Sequence, residues 1–167
     1  KSDEAQKAVN ALTRAGIIRG VSDTEFAPDA AVTRAEAAAL LLRMTAQSDA
    51  DGNGGFSDVT EDMWYYDTAG ASKKYGIISG FEDNTFRGDD RISKVQLISL
   101  AARALKNERN VTASETENTY DAPEWAAEEI ALALNSGLIT ENDLSDLNTP
   151  ISRADAAVIL YRLYDRI

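Results

Sequence analysis

Gly76-Ile77-Ile78-Ser79-Gly80 repeats Gly16-Ile17-Ile18-Arg19-Gly20 at a spacing of 60 residues, and this pairing decides the fold. Under that shift nine of the 31 positions from 14 to 44 are identical: Gly16, Ile17, Ile18, Gly20, Asp23, Phe26, Asp29, Leu40 and Arg43. Composition alone gives roughly two. A third copy keeps the same order. Gly137-Leu138-Ile139 answers Gly76-Ile77-Ile78, and Ile151-Ser152-Arg153-Ala154-Asp155 answers Val32-Thr33-Arg34-Ala35-Glu36. Trp64 and Trp125 each stand twelve residues before their glycine. The third loop is two residues shorter and carries Glu141 where the second glycine would fall. Such self-similarity marks a repeat architecture.

Each copy reads as helix, loop, helix. The first helix stops at Gly16, Gly76 or Gly137, the left-handed position that glycine fills at a helix end. The second helix opens on Thr33…Glu36, Ser93…Gln96 or Ser152…Asp155, which are capping-box patterns, the last a shorter variant. An apolar residue precedes each cap (Val32, Ile92, Ile151), as a hydrophobic staple requires. Alanine- and leucine-rich runs follow, apolar nearly all round, as for helices packed on several sides. One copy of about 50 residues has too little core to fold alone. The expectation is an all-α domain. Its three helix-loop-helix repeats, at 1–47, 56–106 and 119–167, share one core in a pseudo-threefold arrangement or a short solenoid.

Packing does not explain the residue after each cap. Arg34, Lys94 and Arg153 put a cation at the positive end of a helix dipole, which costs from a few tenths to about 1 kcal/mol. Amide donors, dipole and formal charge there would all favour an anion. Arginine adds a fork that fits a carboxylate. The competing reading is an internal ion pair with Asp58 or Asp121. Trp64 and Trp125 are either core plugs or flat faces for a sugar ring. Gly20 and Gly80 are either turn residues or bare because a ligand approaches the backbone.

Composition removes other chemistries. The 167 residues carry a net charge of −11, with no Cys and no His. No basic stripe exists to displace counterions from nucleic acid, and an anionic membrane surface is disfavoured. Disulfides, thiolate nucleophiles and His-based acid–base schemes are excluded. No cofactor site is read from the sequence. No apolar run approaches the roughly 20 residues of a membrane span.

Taken together, Phe56-Ser57-Asp58-Val59, Trp64, Gly76-Ile77-Ile78-Ser79-Gly80 and Asp83-Asn84-Thr85-Phe86 resemble the S-layer homology motif. Val32-Thr33-Arg34-Ala35-Glu36 resembles its T-R-A-E signature, and three tandem units resemble the usual trimer. The resemblance implies a non-enzymatic module, outside the cell at the wall or S-layer, and part of a larger surface protein. It implies a secondary cell-wall polysaccharide bearing a pyruvate ketal on N-acetylmannosamine. That ligand would sit in grooves between repeats, with the T-R-A-E arginine prominent. Carried over, the ligand-binding set is Arg34, Asp58, Trp64, Gly80, Arg153, Lys94, Asp121, Trp125 and Gly20. The groove pairing Arg34 with Asp58 is the most complete, and Arg153 comes next. Lys94 keeps the charge without the bidentate fork. The F-x-D-V opening of the first repeat would lie before Lys1.

Other readings stand beside this one. Asp49, Asp51 and Asn53 match the first half of an EF-hand loop, but position 12 is Thr60 and not a bidentate Glu. A helical protein–protein module, a two-carboxylate glycosidase and a binder of amine-modified peptidoglycan are the remaining ones.

Overall fold

The computed structural model describes residues 2–19, 26–47, 49, 52–111 and 122–167. Six helices form its framework: α1 (Asp3–Arg14), α2 (Arg34–Met44), α3 (Tyr66–Lys74), α4 (Lys94–Arg109), α5 (Ala127–Asn135) and α6 (Arg153–Tyr164). Short 3-10 turns cover Glu124–Ala126 and Glu141–Leu144. Among the described residues there is no strand, only isolated bridges. The all-α expectation holds.

The sequence signals set the helix boundaries. Gly16, Gly76 and Gly137 all take positive φ where the first helices end. Thr33 with Glu36, and Ser93 with Gln96, form reciprocal capping boxes. Asp155 does not close the box as Glu36 and Gln96 do. Its carboxylate instead accepts from the Ser152 hydroxyl at 2.6 Å. The staple residues Val32, Ile92 and Ile151 are fully buried.

Packing follows an exchange between helix pairs. α1 packs on α6, α3 on α2 and α5 on α4, so each first helix rests on the second helix of another pair. The cap segments close a ring of backbone bonds. Val32 N–H donates to Ile151 O, Ile151 N–H to Ile92 O, and Ile92 N–H to Val32 O. Outside the ring, Arg34 N–H donates to Asp90 O at 2.9 Å, Lys94 N–H to Thr149 O at 3.0 Å and Arg153 N–H to Ala30 O at 2.8 Å.

These bonds correct one expectation. The first amides of α2, α4 and α6 are not open to an anion. Ala35, Val95 and Ala154 also donate to carbonyls of a neighbouring segment. The N3 amides of Glu36, Gln96 and Asp155 donate to the cap hydroxyls. A helix end without free N–H groups has lost the part of an anion site that is made of donors. Any such site must be built from side chains.

Arg162 ties α6 to α1 and to the last loop. Its guanidinium meets Glu4 of α1 and Asp143 of the last loop, both at 2.7 Å. Burial pushes the Asp143 carboxyl up. The Thr140 amide, Arg162 and the Thr140 hydroxyl outweigh it and hold the group below the usual carboxylate range. A depressed folded pKa contributes stability above the unfolded value of about 4, lost as pH falls through the folded value. Arg162→Gln is therefore expected to cost about 1–3 kcal/mol at pH 7. In thermal melts its gap to the parent should close toward pH 2. A gap that stays constant with pH would count against this tie.

Candidate functional site

Two of the clefts among the described residues hold a cation that follows a cap, and each draws on all three repeats; a third hollow of about 680 Å³, lined by Gly16, Asp67 and Thr68 among others, adjoins the second of them at Arg19, Arg43 and Trp64. The larger of the two cap-cation clefts, about 600 Å³, is lined by Arg34, the 79–83 loop, Arg87, Arg103, Ser99 and Trp125, among others. The smaller, about 230 Å³, is lined by Arg153, Arg19, Phe26, Glu36, Arg43 and Trp64, among others. In both, the arginine after a cap faces the loop of a second segment and the tryptophan of a third. The α3-on-α2 and α5-on-α4 packing produces this. The tryptophan ahead of each first helix is carried to the rim of a cleft it does not share with its own loop.

Arg34 is the unusual member. The residue is only 8% exposed, and its Nε is buried without a partner among the described residues. Among the described residues its guanidinium forms no ion pair. It lies 4.8 Å from the Phe81 ring centroid and 5.9 Å from that of Phe86. Rings of this kind attract a cation without neutralising it. Burial pushes the guanidinium down to about 10, and Arg103 and Arg87 press the same way against Asp90 and Asp58. It remains a cation at neutral pH, held in a place where a charge is costly.

The other cations of this cleft are satisfied. Arg103 pairs with Glu129 at 2.8 Å. Arg87 pairs with Asp83 at 2.8 Å and donates to Thr85. The Thr85 hydroxyl and Arg87 hold the Asp83 carboxyl down at about 2.

Asp58 is placed differently from the expectation. It does not pair with Arg34 and is not among the lining residues of the larger cleft. Its two oxygens accept from the backbone N–H groups of Phe86 and Arg87, each at 2.7 Å. Arg87 has φ of 55°, so these bonds hold a loop whose backbone is strained. Asp58 shapes the cleft from behind. Gly80 lines the cleft, and its bareness has a packing cause. A Cβ there would meet Phe56 Cε1 at 2.4 Å, and φ is +88°. The tryptophans are not core plugs, since Trp64 is 62% and Trp125 55% exposed.

The remaining cations are occupied. Arg153 donates to Phe26 O and Arg19 O and lies 3.7 Å from Glu36. Lys94 donates to Ser145 O at 2.7 Å. Gly20, Asp51 and Asp121 lie outside the described residues. Asp49 is taken by Lys74 and Tyr75. Asn53 donates to Phe56 O and Val59 O and so locks the turn. Sequence reasoning did not assign Ser99, Phe81, Arg87, Arg103, Arg19 or Arg43 to a cleft. A signal existed for two of them, because Arg43 and Arg103 are identical across the 60-residue shift.

Fold and clefts define a class, that of helical repeat modules with clefts between the repeats. The S-layer homology domain profile matches residues 1–38 and 55–98. Over 99% of its length the chain is 31% identical to "Exoglucanase XynX" of Acetivibrio thermocellus and 31% identical to "Amylopullulanase" of Thermoanaerobacterium thermosulfurigenes. It is 28% identical, again over 99% of its length, to "Surface-layer 125 kDa protein" of Lysinibacillus sphaericus. The chain spans 16%, 9% and 14% of those relatives. The chain belongs to the S-layer homology domain family, a cell-surface module associated with the cell wall. No helix among the described residues is long and apolar enough to cross a membrane.

Proposed function

We propose that this module anchors its host protein non-covalently by binding an anionic secondary cell-wall polysaccharide, with the anion held at Arg34. One observation carries the reading: the buried Arg34 guanidinium, with no ion pair among the described residues and its Nε unsatisfied there, lines a cavity large enough for a sugar. A buried cation without a counterion is costly, and a carboxylate entering the cleft offsets that cost. Arginine's fork suits a carboxylate, and the exposed Trp125 on the same cleft offers a ring face. The pyruvate ketal of N-acetylmannosamine, the substituent that the resemblance implies, supplies such a carboxylate beside an apolar sugar face. Arg153 with Trp64 forms the second and smaller binding cleft. The ring of bonds among the cap segments supports a pseudo-threefold arrangement of repeats at 1–47, 56–106 and 119–167. Whatever catalysis the relatives' names describe belongs, in this reading, to parts of a host protein outside the module.

A pull-down with purified wall polymer tests it. The module should sediment with native polymer and stay in solution once the pyruvyl groups are removed. Binding that survives their removal, or that follows amine-modified peptidoglycan, would replace this reading with the peptidoglycan one.

A further inference from the structure

A second buried polar atom in the Arg34 cleft has no partner among the described residues. Ser99 is 1% exposed, lines the cavity with Arg34, and its hydroxyl has no hydrogen-bond partner among the described residues. A buried helical serine has an easy alternative, the carbonyl four residues back. Ser72, equally buried, takes it by donating to Thr68 O at 2.6 Å. Ser99 does not. Its position is also where the repeat pattern breaks. The residue answering it is Ala39 in α2, which lines the smaller cleft, and Val158 in α6. Helix packing at this level therefore needs no hydroxyl. Two buried unsatisfied atoms, Arg34 Nε and Ser99 Oγ, are an expense that an alanine would remove.

We propose that Ser99 is a specificity-determining residue of the larger cleft, where the ligand's carboxylate accepts hydrogen bonds from both the Ser99 hydroxyl and Arg34 Nε–H. This rests on the reading that the cleft binds an acid, and it deepens that reading. Both atoms are buried, and both residues line the cleft. Ser99 reaches the ligand by turning χ1 from one staggered well to another. The smaller cleft, with Ala39 at this level and Arg153 already bonded to carbonyls, has no such floor. Acid recognition is thereby concentrated in one cleft, and the other takes a less charged stretch of polymer.

The probe is pyruvylated N-acetylmannosamine as the free monosaccharide, compared with its methyl ester, by calorimetry on the whole chain. Ser99→Ala should weaken binding of the acid about ten-fold or more, the loss of a hydrogen bond to a charged group. The ester should change less than about two-fold, because an ester oxygen is a weak acceptor. The variant should melt at or above the parent temperature. If it melts lower, Ser99→Cys, similar in shape with a weak donor, repeats the comparison. Unchanged affinity for the acid overturns the proposal, and so do equal losses for acid and ester. In either case, continued sensitivity of acid binding to Arg34→Ala leaves the anchoring reading intact. A parent that does not distinguish acid from ester overturns both.

Discussion

Arg34→Ala is expected to fold normally and to bind wall polymer about 2–5 kcal/mol more weakly, the range for truncating one partner of a buried charge pair. Folding should survive because the guanidinium contributes little to the empty domain. It has ring contacts on one side, but it lacks an ion pair among the described residues and leaves Nε unsatisfied. Removing a buried charge that has no ion pair among the described residues relieves about as much as the lost packing costs. Arg34→Lys should recover only part of the affinity, since an ammonium keeps the charge and loses the fork. Lys94→Ala should cost much less, because that ammonium is spent on Ser145 O at the surface. Ligand should raise the melting temperature of the parent by mass action and leave that of Arg34→Ala nearly unmoved. Equal losses for Arg34→Ala and Lys94→Ala would show that the cap cations act as a general field and not as one site. An Arg34→Ala protein that fails to fold would assign the residue to the core.

What the sequence made legible was periodic. The glycine stops, the caps and the apolar residue before each cap are local signals with local physics, and each was found at its place. Partnership across the chain was not legible. The 60-residue shift shows which residues are equivalent, but not that α3 crosses to α2 or that Trp125 reaches the cleft of Arg34. Those follow from the exchange of helices, which depends on how three apolar faces close together. The free-amide argument for the caps failed for the same reason. Reading α2 alone, its first N–H groups are orphans, and only the neighbouring segment's Asp90 and Gly88 carbonyls satisfy them. Asp58 is a similar case. The resemblance assigns Asp58 to the ligand, while its two bonds to Phe86 and Arg87 make it a loop anchor. Ser99 was overlooked because repeat reading rewards identity, and this residue matters as a departure.

Phe86→Ala should have the largest effect on stability, a loss of about 3–5 kcal/mol. The ring is fully buried and sits 5.3 Å from Phe56 and 5.8 Å from Tyr65, centroid to centroid. It also backs the Arg34 guanidinium, and its own amide is one of the two that Asp58 holds. Truncation leaves a cavity among these groups that the tightly bonded 79–90 loop cannot collapse to fill. Phe26, its counterpart in the first repeat, is only partly buried and lies beside Arg153, which carbonyls already hold. Phe26→Ala should therefore cost distinctly less. Urea unfolding of both variants decides the matter. A midpoint shift for Phe86→Ala no larger than that for Phe26→Ala would mean that the two loops are supported alike. The larger cleft would then lack the rigid back wall on which positioning of Arg34 depends. With the expected difference, Phe86→Ala at temperatures where it remains folded should also bind polymer more weakly than Phe26→Ala. The guanidinium would then have lost one of its two rings and the loop its seat, while every residue facing the ligand is unchanged.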